Sequence, residues 1–200
     1  MKRLLLSFIA LSLSLALNAQ AFTIDILTSN NNINLGDAIE VKVQVSNLQD
    51  TTAPSLGAYD LNLNYAAHLF QISSLVWGDT INGNQLDLNG FGSLQISDDS
   101  TAGSLNLFEL SFDNAWDLDN LQKDSFTLFS VIFSSLAQGS GNFTIDTHAL
   151  SDAYGNSLTA DAINNTSVTV SAISVPEPSG LLILIGLIAL GLTRVYRINK

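Results

Sequence analysis

The chain contains no cysteine. That one absence removes disulfides, thiolate metal sites and a cysteine nucleophile together, so stability has to come from packing and hydrogen bonds. Basic residues are nearly as scarce: between residues 22 and 173 only Lys42 and Lys123 occur. All 18 acidic residues fall between Asp25 and Glu177, which leaves that interval with a formal charge of −16. Nucleic acid is excluded as a partner by this balance. Histidine is limited to His68 and His148, and no serine sits in a Gly-x-Ser-x-Gly elbow, so the sequence offers no Ser-His-Asp arrangement. His68 follows an alternating strand and His148 precedes a turn-rich hairpin, and both read as solvated loop residues. Only three glutamates exist, Glu40, Glu109 and Glu177, and nothing among the many aspartates marks out a pair for glycoside hydrolysis.

Long apolar runs are also missing from the interior. The two longest, 4–17 and 180–193, are 14 residues each and lie at the ends, against the roughly 20 that a spanning helix needs. The first follows Lys2 and Arg3 and ends in Ala19-Gln20-Ala21, the three zones of a signal peptide cleaved after Ala21. The second, as a helix, would span about 21 Å of a hydrocarbon core of about 30 Å. Val195, Tyr196 and Ile198 lengthen it, because the intervening arginines can bury their stems and send their charged heads to the interface. Arg194, Arg197 and Lys200 then form a basic stop on the cytoplasmic side. Upstream, Pro176 and Pro178 prevent a helix from running back into the chain and leave an extended, accessible stalk.

Val175-Pro176-Glu177-Pro178-Ser179, followed by one apolar helix and a basic tail, resembles the PEP-CTERM sorting signal of Gram-negative bacteria. The resemblance implies recognition by an exosortase, a membrane-embedded cysteine transpeptidase. It also implies transient residence in the inner membrane and export to the cell surface or the exopolysaccharide matrix. The expected organisation is a signal peptide at 1–21, a domain at 22–173 and the sorting signal at 174–200.

What the interior does contain is alternation. Ile39, Val41, Val43 and Val45 alternate with Glu40, Lys42, Gln44 and Ser46, and Tyr59, Leu61, Leu63 and Tyr65 alternate with Asp60, Asn62 and Asn64. A period of two means strands with one buried face. Further strands are expected at 22–27, 69–77, 85–88, 92–96, 105–112, 126–135, 142–146 and 167–173. Turn chemistry separates them at Asn34-Leu35-Gly36-Asp37, Asn82-Gly83-Asn84, Asn89-Gly90, Gly139-Ser140-Gly141 and Tyr154-Gly155-Asn156. Short strands at this spacing predict a single all-β sandwich.

The order of several segments resembles the cohesin domain. They are the Asn34-Leu35-Gly36-Asp37 turn before an alternating strand, 57–65 with Leu69 and Val76-Trp77-Gly78-Asp79, Phe129-Ser130-Val131-Ile132-Phe133 leading to Gly139, and Ser151-Asp152-Ala153-Tyr154-Gly155-Asn156. The resemblance implies a jelly-roll β-sandwich of about nine strands, related to cellulose-binding modules. Authentic cohesins dock a calcium-loaded dockerin against one sheet face and so assemble cellulosomes.

Three kinds of site residue follow. Calcium takes oxygen ligands, and two acidic loops supply them: Asp98 with Asp99, and Asp113 with Asp117 and Asp119. Neither fits the EF-hand pattern, since Leu121 and Gln122 stand where a ligand and the glycine belong. Solvated acidic loops without a cofactor are the favoured reading, and calcium is the alternative. Sugar binding needs exposed aromatics beside polar groups. Trp77 ends an apolar strand and is assigned to the core, which leaves Trp116 as the candidate glycan contact. The sequons at Asn142 and Asn165 read as incidental. The overall expectation is a secreted, non-catalytic surface or matrix protein that binds or scaffolds, its partners being the exosortase and exopolysaccharide or another envelope protein. A carbohydrate-binding module is the alternative, and a glycan hydrolase the outsider.

Overall fold

A computed structural model describes residues 22–48 and 55–172. The signal peptide and the sorting signal expected from the sequence lie outside the described residues. Two mixed sheets pack face to face. They are built from β1 (Thr23–Thr28), β2 (Asn32–Asn34), β3 (Ala38–Ser46), β4 (Ala58–Asn64), β5 (Phe70–Trp77), β6 (Ser93–Asp98), β7 (Ser104–Ser111), β8 (Phe126–Ser135), β9 (Gly139–Ser151), β10 (Ala162–Asn164) and β11 (Thr166–Ser171), with one short helix, α1 (Ala115–Leu121), between β7 and β8. One sheet runs β10-β1-β3-β8-β5 and the other β2-β11-β9-β4-β7-β6. Pairing is antiparallel except at β1–β10 and β2–β11.

Alternation in the sequence becomes sidedness in the sandwich. Ile39, Val41, Val43 and Val45 of β3 face Tyr59, Leu61 and Leu63 of β4 across the interior, all essentially without exposure. Each such side chain, removed from water, contributes about 1.5–3 kcal/mol. At one end the aromatics condense: Phe133 lies 4.9 Å from Tyr65 and 5.1 Å from Phe143 between ring centroids, and Phe143 lies 5.0 Å from Phe70. The tilted geometries suit the ring quadrupoles.

Four departures from the sequence reading have identifiable causes. The segment 85–88 is not a strand: Asn84 Oδ1 accepts from the Leu86 amide at 3.0 Å, and the Gln85 side chain bridges Asn82 and Lys123. Side-chain amides thus take the place of a ladder. The segment 139–141 is not a turn but the start of β9. A Cβ on Gly141 would stand 2.9 Å from Phe70 and 3.1 Å from Leu69, so glycine is there to let the strand lie against the aromatic cluster. At its other end β9 runs on past 146 to Ser151, so His148 lies on this strand, exposed, and not in a loop. The acidic segment after β7 forms α1, whose single buried side chain, Leu118, is too little to show a helical period. Finally, β2 and β10 bring the strand number to eleven, and at three residues each they cannot show alternation either.

Candidate functional site

The outer face of the six-stranded sheet is divided. On β7, Leu105, Leu107 and Glu109 point into the sandwich, so Asn106, Phe108 and Leu110 point out. The β6–β7 register sets Leu94 beside Leu110 and Ile96 beside Phe108. Leu94 is 43%, Ile96 50%, Leu110 39% and Phe112 57% exposed. An apolar strip, exposed among the described residues, therefore runs along the sheet margin. Exposed contiguous apolar surface with a polar border is the property of an interaction site.

That border begins on the next strand. Asn106 Nδ2 donates to Asp60 Oδ1 at 2.8 Å and to Asn62 Oδ1 at 2.9 Å, and Asn64 Nδ2 donates to Asp146 Oδ2 at 2.7 Å. Further out, β9, β11 and β2 present Asn142, Ser140, Thr169 and Asn32, with Ser140 and Thr169 hydroxyls 3.2 Å apart. Side chains already bonded to one another hold this field in fixed rotamers.

Beneath the strip lies a carboxylate. Glu109 is fully buried, and neutral donors hold it. Oε2 accepts from the Tyr59 hydroxyl at 2.9 Å, while Oε1 accepts from Gln95 Nε2 at 2.9 Å, Ser93 Oγ and the Asn84 amide. Burial and then the adjacent Glu109 charge push the Tyr59 phenol well above its ordinary value. The hydroxyl stays a donor. Because Ser93, Gln95 and Glu109 come from β6 and β7, the network ties the edge strand to the sheet.

The residues singled out from the sequence separate in space. Asp98 and Asp99 are exposed at the end of β6, where hydrogen bonds from Ser100 hold the Asp98 carboxyl below its ordinary value. Asp113 and Asp117 come together through Asn89, whose Nδ2 donates to Asp113 at 2.9 Å and to Asp117 at 2.8 Å. Asp119 instead accepts from Ser55 Oγ. The five calcium candidates thus fall in three places, and among the described residues no group of three or more His, Cys, Asp or Glu is disposed to hold a metal. His68 and His148 are both exposed. His148 borders a hollow of about 310 Å³ that also takes in Thr147, Leu150, Ser157, Leu158 and Ile163, and no carboxylate lines it. Trp77 packs on Tyr59, with centroids 6.4 Å apart, whereas Trp116 on α1 is 66% exposed. Val175, Pro176, Glu177, Pro178, Ser179, Arg194, Arg197 and Lys200 lie outside the described residues.

Comparison with known proteins agrees with this architecture. Residues 23–113 match the family model of the cohesin domain. The fold is a cohesin fold. The second type II cohesin module of an adaptor scaffoldin from Acetivibrio cellulolyticus superposes with a TM-score of 0.61 at 18% identity, over 80% of this chain and 96% of that one. A non-cellulosomal cohesin from the archaeon Archaeoglobus fulgidus gives 0.56 at 19% identity, over 76% and 92%. A type I cohesin–dockerin complex from Clostridium thermocellum gives 0.56 at 17% identity, over 74% and 99%. A search of curated protein sequences found no match. Within the cohesin sandwich described above, the apolar strip escaped the sequence reading although β7 carried a signal for it. Phe108 and Leu110 stand at wet positions and Glu109 at a dry one, an inversion of the alternation set by Leu105, Asn106 and Leu107 before them.

Proposed function

We propose that this protein is a non-catalytic docking module, and that a protein partner seats on the outer face of β6 and β7, with the neighbouring positions of β4 as its rim. The observation that carries the reading is the strip of Leu94, Ile96, Phe108 and Leu110, bordered by the Asn106–Asp60–Asn62 network. A desolvated apolar centre supplies most of the affinity of such an interface, and a polar rim its specificity. Cohesin-fold neighbours caught in complex with dockerins support the same use of the sandwich. By their example the partner is a dockerin-like module or another envelope protein.

The chain ends support export. The signal peptide at 1–21 delivers the sandwich across the inner membrane, and an exosortase acting at 175–179 releases it to the surface or the exopolysaccharide matrix. Replacing Pro176 and Glu177 by alanine leaves the sandwich intact and should block maturation. Intact-mass measurement would then show the tail retained; normal processing of that double variant contradicts the sorting reading. For docking, Ile96→Asp with Leu110→Asp places two charges in the strip without touching the core. Recovery of the native envelope partner should fall by at least about tenfold, with the thermal midpoint little changed. Equal recovery by variant and parent would remove the strip as the docking site.

A further inference from the structure

At the end of the sandwich where β7 runs into α1, two aromatic side chains stand in solvent on rigid supports. Trp116 is 66% and Tyr154 69% exposed. α1 is fixed at both ends. Asn114 caps it, its Oδ1 accepting from the Asp117 amide at 3.0 Å, and the buried Gln122 clamps it to Leu56 and Gln85 through bonds of 2.7 to 3.0 Å. The turn carrying Tyr154 is wound on Asp152, which accepts from the Tyr154 and Asn156 amides at 2.9 and 2.8 Å. Neither ring belongs to the core, and the backbone that carries each is fixed by these bonds.

Between them lies Asp119. It is three residues along α1 from Trp116 and therefore on the same face, as is Asn120, whose Nδ2 donates to the Trp116 carbonyl at 2.7 Å. Hydrogen bonding to Asp119, and then its charge, raise the Tyr154 phenol above its ordinary value. An exposed indole, an exposed phenol and a carboxylate with an amide beside it form the combination that binds a sugar. Ring faces take the C–H surface of a pyranose, and the polar groups take its hydroxyls.

We infer that Trp116, Tyr154 and Asp119, with Asn120, form a binding platform for neutral oligosaccharides, separate from the β6–β7 strip. The charge decides neutral over acidic sugars: Asp119 and Asp152 both lie beside Tyr154, and a uronate or phosphate would meet repulsion there. A gluco-configured, β-linked chain fits best, because its equatorial hydroxyls leave both ring faces apolar.

The test is calorimetric titration of the full chain with cellohexaose, alongside Trp fluorescence, with alginate as the anionic control. Cellohexaose should bind and shift the emission of Trp116 to the blue. Affinity should fall about tenfold in Trp116→Ala, and by a smaller factor in Tyr154→Ala and Asp119→Asn. The Ile96→Asp variant should bind cellohexaose like the parent, so that failure here and failure of the docking reading register separately. Absence of binding, equal binding by Trp116→Ala, or equal binding of alginate would overturn the platform. Loss of the protein partner in Trp116→Ala without any cellohexaose binding would assign the rings to the protein interface instead.

Discussion

Glu109 sits where the β7 register calls for an apolar side chain, and the domain accommodates it by surrounding it with donors. A buried carboxylate is costly unless its oxygens are satisfied, and here Tyr59, Asn84, Ser93 and Gln95 satisfy them. Truncation strands those donors. Glu109→Ala is expected to lose about 3 kcal/mol in urea unfolding, whereas Glu109→Gln, which can turn its amide toward the Tyr59 oxygen, should lose much less. Equal losses would mean that the site is merely packed. Asp152 gives a second residue-scale test. Burial pushes its carboxyl up, but hydrogen bonds from Asn156, Tyr154 and Gly155 outweigh that and hold it below its ordinary value of 3.8. A lowered folded value means that its stabilisation is complete above the ordinary range and disappears as pH falls through the folded value. Asp152→Asn should therefore flatten the acid limb of the stability profile below about pH 4; an unchanged limb would argue against this role. Of these residues the sequence marks only the turn of Asp152. Glu109 needs a known register before its position becomes anomalous.

At the scale of elements, legibility followed length and alternation. β3 and β4 were readable because four and three consecutive inward positions are apolar, and β8 because its apolar run contains no Gly, Pro, Asn or Asp. The start of β9 was not, since glycine serves both turns and close approaches and only the packing against Phe70 tells them apart. α1 stayed hidden because one anchor cannot define a period. Close approach also governs how the Tyr154 turn is seated on β4. A Cβ at Gly57 would stand 2.5 Å from the Asp152 carbonyl oxygen, a backbone atom that cannot rotate aside. Gly57→Ala is expected to destabilise the domain by roughly 1–3 kcal/mol through this clash. Because it displaces the turn, it should weaken cellohexaose binding as well, while an Ala elsewhere on β4's wet face does neither.

For the whole molecule, the decisive feature is the distribution of surface character over one sandwich. A formal charge of −16 falls between residues 22 and 177, yet the acidic side chains of this face, Asp60 beside Phe108 and Asp98 at the end of β6, border the strip and do not interrupt it. The strip remains apolar and accessible on an edge strand that Glu109 holds in the sheet. Fold and sidedness were recoverable from alternation and from the order of the cohesin-like segments. The docking face was signalled only by Phe108, Glu109 and Leu110 breaking the alternation of β7, and which of those positions is wet is a property of the assembled sheets. The most direct measurement places a photo-crosslinking amino acid at Ile96 of the full chain in its native host, with Thr144 on the polar field of the same sheet as the control. A discrete protein adduct from position 96 and none from position 144 is the expected result. No protein adduct at position 96, or the same adduct from both positions, would contradict a docking function for this face.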